Sequence, residues 1–317
     1  MKSRGKILGF LYLLLILLLI PVTIYRLSVS QNKEDSKKLV LSAVKVPPKQ
    51  TPTQTPQHQL EQLVKKYLTN QEGKYGVAIK NLKTGESYYY NEDKKFNSAS
   101  LYKLWVMAVA FQKIKDGSLD EDEVLSAPIA KLNDTLSTTT PTPTPEGFSP
   151  PTPSVSEPVR ISMKTSEAIE KMITISDNYA ALLVASRSGS VSVANFLKEY
   201  GLENSNFKQP PQTTGGDTAM FFEKLYKGEI VDQEYSKKMI DILKQQTLND
   251  RIPKYLPSIE VAHKTGELSE SKHDGGIVYT EKGDYIIVVL SESNDPPLSS
   301  ENIANFSKGV YDYFDNS

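Results

Sequence analysis

The sequence predicts an α+β fold in which a five-stranded antiparallel sheet is flanked by terminal helices, forming an α/β sandwich, with an inserted all-helical lobe. Two observations predict it. Strand-like apolar runs occur near both ends of the region 58–317, whereas the segments between them have helical spacing. Strands from both ends of one chain most simply pair in one sheet, which leaves the middle to form a second lobe. A cleft between two lobes is a usual place for a small-molecule site.

The first elements are a helix, a hairpin and a long apolar helix. Apolar residues at helical spacing begin at Leu60, and the runs 75–79 and 87–90 predict two strands joined by a turn at 83–86. An apolar helix is then expected from Ser100 to about residue 115. Ser98 is the expected N-cap of that helix, and a glycine at 117 follows its end.

A Thr/Pro-rich segment, 134–157, interrupts the chain, and it predicts an exposed loop because repeated prolines exclude helix and central strand. Helical patterning then returns, with Asp217 as the expected N-cap of the fourth segment. The predicted segments are 166–175, 179–185, 193–200, 218–227 and 236–243. Three strands are expected at 260–265, 276–280 and 285–290, and a closing helix from residue 300.

The amino terminus predicts a membrane segment. Residues 7–25 are almost wholly apolar and follow Lys2, Arg4 and Lys6, a pattern that spans a bilayer with the amino terminus inside. We therefore expect a membrane anchor at 1–27, a Pro/polar linker at 28–57 and the folded region outside the cytoplasmic membrane. A cleaved signal peptide, which would release a secreted protein, is the alternative.

Composition excludes several classes of function. The chain has no cysteine, which excludes disulfides, thiol catalysis and cysteine metal sites. Residues 1–60 carry a net charge of +7 and the rest −8, and so acidic a folded region argues against nucleic acid as a partner. The histidines, His58, His263 and His273, have no metal-ligand spacing, so we expect no metal and no other cofactor. A monomer is expected.

The first chemical signal is Ser100 and Lys103 at the start of the long apolar helix. Residues three apart lie on one face of a helix, so the two side chains are neighbours. A serine hydroxyl becomes a nucleophile when a base takes its proton, and a lysine can do so only if its pKa falls from about 10.4 toward neutrality. Burial and the positive end of a helix dipole both act in that direction. Ser-x-x-Lys occurs six times in this chain, and only this copy opens a buried-looking helix.

Two further motifs follow in order. Ser176-Asp177-Asn178 lies between two helical segments, and Lys264-Thr265-Gly266 ends a predicted strand. Each motif alone is common in turns and strand ends, but the combination, its order and its placement are specific. With these three motifs, the chain resembles the serine β-lactamase and penicillin-binding protein superfamily, and most closely a class A β-lactamase domain, over about residues 59–314.

The resemblance implies an acyl-enzyme mechanism. Ser100 would attack an amide carbonyl while Lys103 helps to remove its proton, and Ser176 would relay a proton to the leaving nitrogen. Asn178 would orient Lys103 and the substrate amide, and Lys264 would supply positive charge.

The same resemblance implies a substrate position along the strand. Thr265 would hydrogen-bond a substrate carboxylate, and Gly266 would let the substrate lie close to the strand. The backbone N–H groups of Ser100 and Glu267 would form the oxyanion hole.

The chain departs from the class A pattern at the deacylating base. The corresponding segment, 201–214, is short, and Glu203 is its only carboxylate, so Glu203 is the only candidate there. Class A enzymes also often carry an arginine on the strand after Lys-Thr-Gly. Here no arginine follows Arg251, and Lys272 is the nearest cation in sequence.

The sequence therefore predicts a β-lactam-reactive serine hydrolase with slow deacylation. A D-Ala-D-Ala carboxypeptidase acting on a peptidoglycan peptide is the first alternative, since it would use the same residues. A non-catalytic cell-wall-associated module with the same fold is the second. The expected partners are a small-molecule β-lactam or a peptidoglycan peptide, and the membrane through the N-terminal helix.

Overall fold

The computed structural model describes residues 56–137 and 158–316. The predicted anchor at 1–27, all but the last two residues of the linker at 28–57, and residues 138–157 of the Thr/Pro-rich segment lie outside the described residues. Among the described residues, no single helix is long and apolar enough to cross a membrane. The bent helix pair at 178–188 and 190–199 reaches the necessary length and apolar content only when its two helices are taken together.

The main sheet has five strands, and all neighbouring strands are antiparallel. The strands are β1 (Lys74–Asn81), β2 (Ser87–Tyr90), β7 (Val261–Leu268), β8 (Ser271–Val278) and β9 (Tyr285–Glu292). Their order across the sheet is β2-β1-β9-β8-β7. The two ends of the chain meet between β1 and β9, where Lys74 lies opposite Glu292, so the predicted sheet is confirmed. β7 is an edge strand.

Two short ribbons complete the strands. They pair β3 (Phe96–Asn97) with β6 (Gln212–Thr213), and β4 (Val124–Pro128) with β5 (Arg160–Lys164). The second ribbon joins residues on either side of the Thr/Pro-rich segment, a pairing that the sequence did not predict.

The helices form two groups, one on each side of the sheet. They are α1 (Pro56–Val64), α2 (Tyr102–Lys115), α3 (Ile129–Ser137), α4 (Thr165–Thr174), α5 (Asn178–Ser188), α6 (Ser190–Glu199), α7 (Gly215–Tyr226), α8 (Gln233–Leu243) and α9 (Pro296–Asp315). A π-helical turn at Lys65–Thr69 extends α1. The terminal helices α1 and α9 pack on one face of the sheet, and α2 and α7 belong to the core on the other face.

The alternation of β9 divides the apolar residues between these two cores. Ile286 and Val288 belong to the core that contains α2, whereas Ile287 and Val289 belong to the core under α1 and α9. Successive side chains of a strand point to opposite faces, so one apolar strand serves both layers. Burial on both faces explains why 285–290 reads as a continuous apolar run.

Three local predictions were wrong. Ser98 does not cap α2, because a 3-10 turn at Ala99–Leu101 lies between them and the Ser98 side chain makes no cap hydrogen bond. Thr214, not Asp217, caps α7, since Thr214 Oγ1 accepts from Asp217 N at 3.1 Å. Residues 134–137 form the last turn of α3 rather than a loop.

Candidate active site

Lys103 is the centre of the candidate site. It lies in the first turn of α2, and its side chain is 0% exposed. Its Nζ donates to Ser176 O at 2.7 Å, to Ser176 Oγ at 3.2 Å and to Asn178 Oδ1 at 2.8 Å. Burial lowers the pKa of Lys103 to about 7, against the opposing effect of Asp177. A large fraction of this amine is therefore neutral near pH 7 and can accept a proton.

Ser100 lies on the 3-10 turn at Ala99–Leu101, one helical turn before Lys103. The residue is half-buried. Within the described part of the chain, Ser100 Oγ has no hydrogen-bond partner, so no structural contact holds this hydroxyl. The preceding residue, Ala99, has φ of 46°, in the left-handed region that a non-glycine residue adopts at a cost of about 1 kcal/mol or more.

The Ser176 loop is held in place from both sides. Asp177 caps α5 by accepting from Ala180 N at 2.9 Å. Before the loop, Gln246 Nε2 donates to Ile173 O at 2.7 Å. Ser176 itself has φ of 58°, a second left-handed non-glycine residue. These contacts hold the backbone on either side of Ser176, whose Oγ lies 3.2 Å from Lys103 Nζ.

Lys264 completes the hydrogen-bonded cluster from the edge strand β7. Its Nζ donates to Ser176 Oγ at 3.0 Å and to Thr265 O at 2.8 Å, and its side chain is 0% exposed. Burial, and then the positive charge of Lys103, hold the pKa of Lys264 well below its usual value. The structure thus joins Lys103, Ser176, Asn178 and Lys264 in one hydrogen-bonded cluster, in which both lysines contact the Ser176 hydroxyl and Asn178 contacts Lys103.

Gly266 explains how β7 comes so near the nucleophile. A Cβ at this position would lie 3.1 Å from Ser98 O and 3.2 Å from Ala99 Cβ. A side chain here would push the strand or the 3-10 turn that carries Ser100 away, so glycine allows the two to pack this closely. Thr265, the residue before it, is buried at 2% exposure.

Comparison with known proteins identifies the family. A family model described as the β-lactamase enzyme family matches residues 58–314. The chain belongs to the β-lactamase enzyme family. No curated protein sequence matches this chain.

Solved structures have the same fold. The structure of PBP-A is 24% identical, with a TM-score of 0.69, and the match covers 82% of this chain and 96% of that one. A point mutant of PBP-A, described as an acyl-enzyme complex with penicillin G, is 27% identical with a TM-score of 0.68 and coverages of 83% and 97%. A β-lactamase from Sphaerobacter thermophilus is 19% identical, with a TM-score of 0.68 and coverages of 81% and 97%.

Glu203 lies apart from the cluster. It is exposed and lines two surface grooves, one with Leu202 and Phe207 and the other with Glu92 and Asp217. Neither groove is lined by Ser100, Lys103, Ser176 or Lys264. The structure therefore gives Glu203 no contact with the residues around the nucleophile, and its role as a deacylating base stays a prediction.

Glu267 contributes a side chain that the sequence prediction did not consider. Its carboxylate is 2.7 Å from Arg251 Nη2 and also pairs with Lys272. An arginine is therefore present beside the motif, but it comes from the segment before β7 rather than from the strand after it. Burial acts to raise the pKa of Glu267, yet Lys272 and Arg251 outweigh it and hold that pKa below its usual range.

Two buried histidines support β7 and the turn that carries Ser100. His263 Nδ1 lies 2.9 Å from Asp274 Oδ1, on the neighbouring strand. His273 Nδ1 accepts from Ser291 N at 3.0 Å, so its other nitrogen donates to Asn97 O at 2.8 Å. Burial lowers the pKa of His273 to about 4, and the ring is therefore neutral in the folded protein at neutral pH.

Proposed function

We propose that this member of the β-lactamase enzyme family is a β-lactam-reactive serine hydrolase that acts through an acyl-enzyme on Ser100. The buried amine of Lys103, one helical turn from that hydroxyl and with a pKa near 7, is the observation that carries the proposal. The penicillin G acyl-enzyme described for the PBP-A mutant, at 27% identity, supports β-lactams as the reactive class.

The expected acylation uses the chain's own groups at each step. Neutral Lys103 takes the proton of Ser100 Oγ as that oxygen attacks the carbonyl carbon. Backbone N–H groups of Ser100 and Glu267 are expected to hold the resulting oxyanion. When the C–N bond breaks, Ser176 Oγ gives its proton to the leaving nitrogen and takes one from Lys103. The products are a serine ester and a neutral amine, and Lys103 returns to its neutral form.

Deacylation is expected to be slow. It requires a base near a water molecule that attacks the ester, and a carboxylate commonly fills this role in general base catalysis. Glu203, the candidate in the segment 201–214, is exposed and has no contact with Lys103 or Ser176. The acyl group should therefore stay on Ser100 far longer than it takes to form.

Intact-protein mass spectrometry after mixing with penicillin G tests the proposal. Wild type should gain the mass of one penicillin, and Ser100→Ala should gain none. Ser269→Ala is the matched control, because Ser269 opens another Ser-x-x-Lys sequence but is exposed in the turn between β7 and β8. No adduct on wild type, or an equal adduct on Ser100→Ala, would refute the assignment.

A second candidate is a D-Ala-D-Ala carboxypeptidase acting on a peptidoglycan peptide. The separation of Glu203 from the cluster favours it, because such an enzyme need not turn over β-lactams rapidly. Release of D-alanine from a D-Ala-D-Ala peptide, compared with hydrolysis of nitrocefin by the same sample, distinguishes the two. Neither activity, together with no adduct, would leave a non-catalytic module.

We also propose that residues 1–27 anchor the protein in the membrane, with the hydrolase domain on the extracytoplasmic side. The apolar run at 7–25 and its basic flank support this proposal. Fractionation of cells that express the full chain tests it. Full-length protein in the membrane fraction is expected, and a shortened soluble protein outside the cell would indicate cleavage.

A further inference from the structure

His273 is a fully buried residue of β8 that joins the main sheet to the turn that carries Ser100. Its side chain is 0% exposed, and in the β7–β8 ladder it lies directly opposite Gly266. A Cβ at residue 266 would lie 3.2 Å from His273 Cδ2. The absence of a side chain at Gly266 therefore leaves room for the imidazole on the face of the sheet where the turn packs.

The two ring nitrogens of His273 have opposite roles. Nδ1 accepts from Ser291 N, on β9, at 3.0 Å, so Nδ1 carries no proton. Nε2 therefore carries the proton of the neutral ring and donates it to Asn97 O, on β3, at 2.8 Å. The ring also meets Phe96 edge-on, with centroids 6.0 Å apart and planes at 78°. The orientation of the imidazole is thus fixed by partners on two different strands.

Asn97 carries this contact on to the nucleophile. Its backbone O is held by His273, and its side-chain Oδ1 accepts from Ala99 N at 3.1 Å. Ala99 immediately precedes Ser100 and has φ of 46°, a conformation that persists only where the surrounding structure holds it. The chain of contacts therefore runs from the sheet, through His273 and Asn97, to the backbone next to Ser100.

From these contacts, and on the basis of the proposed acylation of Ser100, we propose that His273 is a positioning residue for the nucleophile. The hydrogen bond from Nε2 to Asn97 O holds the turn where Ser100 Oγ can attack. Lys103 is held separately, by Ser176 and Asn178. Loss of the Asn97 contact should therefore lower the maximal acylation rate, and should leave unchanged both the noncovalent binding of the acyl donor and the pH at which the rate rises.

Two substitutions separate the two ring contacts. The amide nitrogen of glutamine is as many bonds from the backbone as Nε2, so His273→Gln keeps a donor for Asn97 O. The amide oxygen of asparagine is as many bonds away as Nδ1, so His273→Asn keeps only the acceptor for Ser291 N. With penicillin G, His273→Asn should lower the maximal acylation rate about 10- to 100-fold, whereas His273→Gln should stay within about threefold of wild type.

Ile287→Ala is the matched control for stability. Ile287 is fully buried on β9, in the core under α1 and α9 on the other side of the sheet. This variant should unfold at a lower temperature, because it leaves a cavity, but the folded enzyme should acylate as fast as wild type.

Amide hydrogen exchange at Leu101 gives a readout that does not depend on chemistry. Leu101 N closes the turn by donating to Ser98 O at 2.9 Å. Relative to the amides of β9, exchange at Leu101 should be faster in His273→Asn and unchanged in His273→Gln and Ile287→Ala.

A second pair of variants tests the next link without altering His273. Asn97→Ala removes the acceptor for Ala99 N and should slow acylation about tenfold, and Asn97→Ser, whose hydroxyl still accepts, should lose less. If His273→Asn does not fold, this pair decides, and a rate in Asn97→Ala equal to that of wild type would overturn the inference.

The outcomes separate the two proposals. An adduct on wild type with equal acylation rates in His273→Asn and His273→Gln would overturn the positioning role and leave the proposed function standing. An equal loss in the His273 variants and in Ile287→Ala would show only an effect of stability, which also overturns it. No adduct on wild type would overturn the proposed function and this inference with it.

Discussion

Lys103 and Lys264 place their Nζ atoms 3.2 Å and 3.0 Å from the same oxygen, Ser176 Oγ. A hydroxyl has one proton and two lone pairs, so it can serve both amines at once. Two buried ammonium groups this close would repel each other strongly, and burial already disfavours each charge. Each amine therefore favours the neutral form of the other, and the Ser176 hydroxyl links the two by hydrogen bonds.

The pH dependence of acylation should report on Lys103. Since only the neutral amine can take the proton of Ser100, the acylation rate should rise as pH increases through about 7 and then level off. Rapid-mixing measurements with penicillin G from pH 5 to 9 would show this. Lys103→Arg, which stays charged, should be slower by about 100-fold or more and should lack the rise. An acylation rate of wild type that does not change with pH would contradict the role of Lys103 as the base.

Removing the Ser176 hydroxyl should reduce acylation without unfolding the protein. Both Ser176→Ala and Ser176→Gly lose the proton relay and should acylate about 100-fold more slowly. Because Ser176 has φ of 58°, glycine should be more stable here than alanine by about 0.5–1 kcal/mol. Chemical denaturation of the two variants measures this difference. Equal stabilities would show that the loop leaves the left-handed conformation at residue 176 in the alanine variant.

Gly266→Ala should displace the edge strand from the nucleophile's turn. The added methyl group would lie 3.1 Å from Ser98 O, and the overpacking should cost about 1–3 kcal/mol of unfolding free energy. Acylation should fall as well, because the oxyanion-hole groups move apart. Ala99→Gly in the same background removes a second close contact, at 3.2 Å, and should restore part of both losses. A double-mutant cycle on stability and acylation rate provides the measurement.

His273 should make the fold sensitive to acid. Its pKa is about 4 in the folded protein and 6.5 in an unfolded chain, so the unfolded chain binds the proton first as pH falls. The stability due to the neutral ring is complete above pH 6.5 and is lost toward pH 4, a change of about 3 kcal/mol.

Denaturant titrations at pH 7 and pH 4.5 check the His273 prediction. The stability difference between these two pH values should be smaller in His273→Gln than in wild type. His58→Gln is the control, since the His58 side chain is 43% exposed on α1 and its replacement should leave the difference unchanged. An undiminished difference in His273→Gln would assign the acid sensitivity to other groups.

Much of the site could be predicted because its residues carry local signals. Helical spacing placed Lys103 one turn from Ser100, and the motif order indicated that Ser176 and Lys264 belong with them. The sheet followed from strands at both ends of the chain. These features depend on short-range periodicity or on a short motif, both of which a single sequence displays.

The rest depends on contacts between distant segments that have no periodic signal. Arg251 reaches Glu267 because the segment before β7 turns back along the sheet edge, and nothing in the intervening residues indicates that return. The β4–β5 ribbon pairs segments separated by a Thr/Pro-rich stretch. Thr214 replaced Asp217 as the cap of α7 because Asp217 instead accepts a buried hydrogen bond from Ser205 Oγ at 2.8 Å.

The pairing of β1 with β9 also governs when the enzyme can first become active. Lys74 meets Glu292 across more than 200 residues, so the central sheet cannot close until nearly the whole chain has been synthesised. Lys264 and Gly266 reach the turn that carries Ser100 only as part of that late-arriving hairpin. A nascent chain therefore exposes its serine without the partners that activate it, and reactivity appears together with the completed fold.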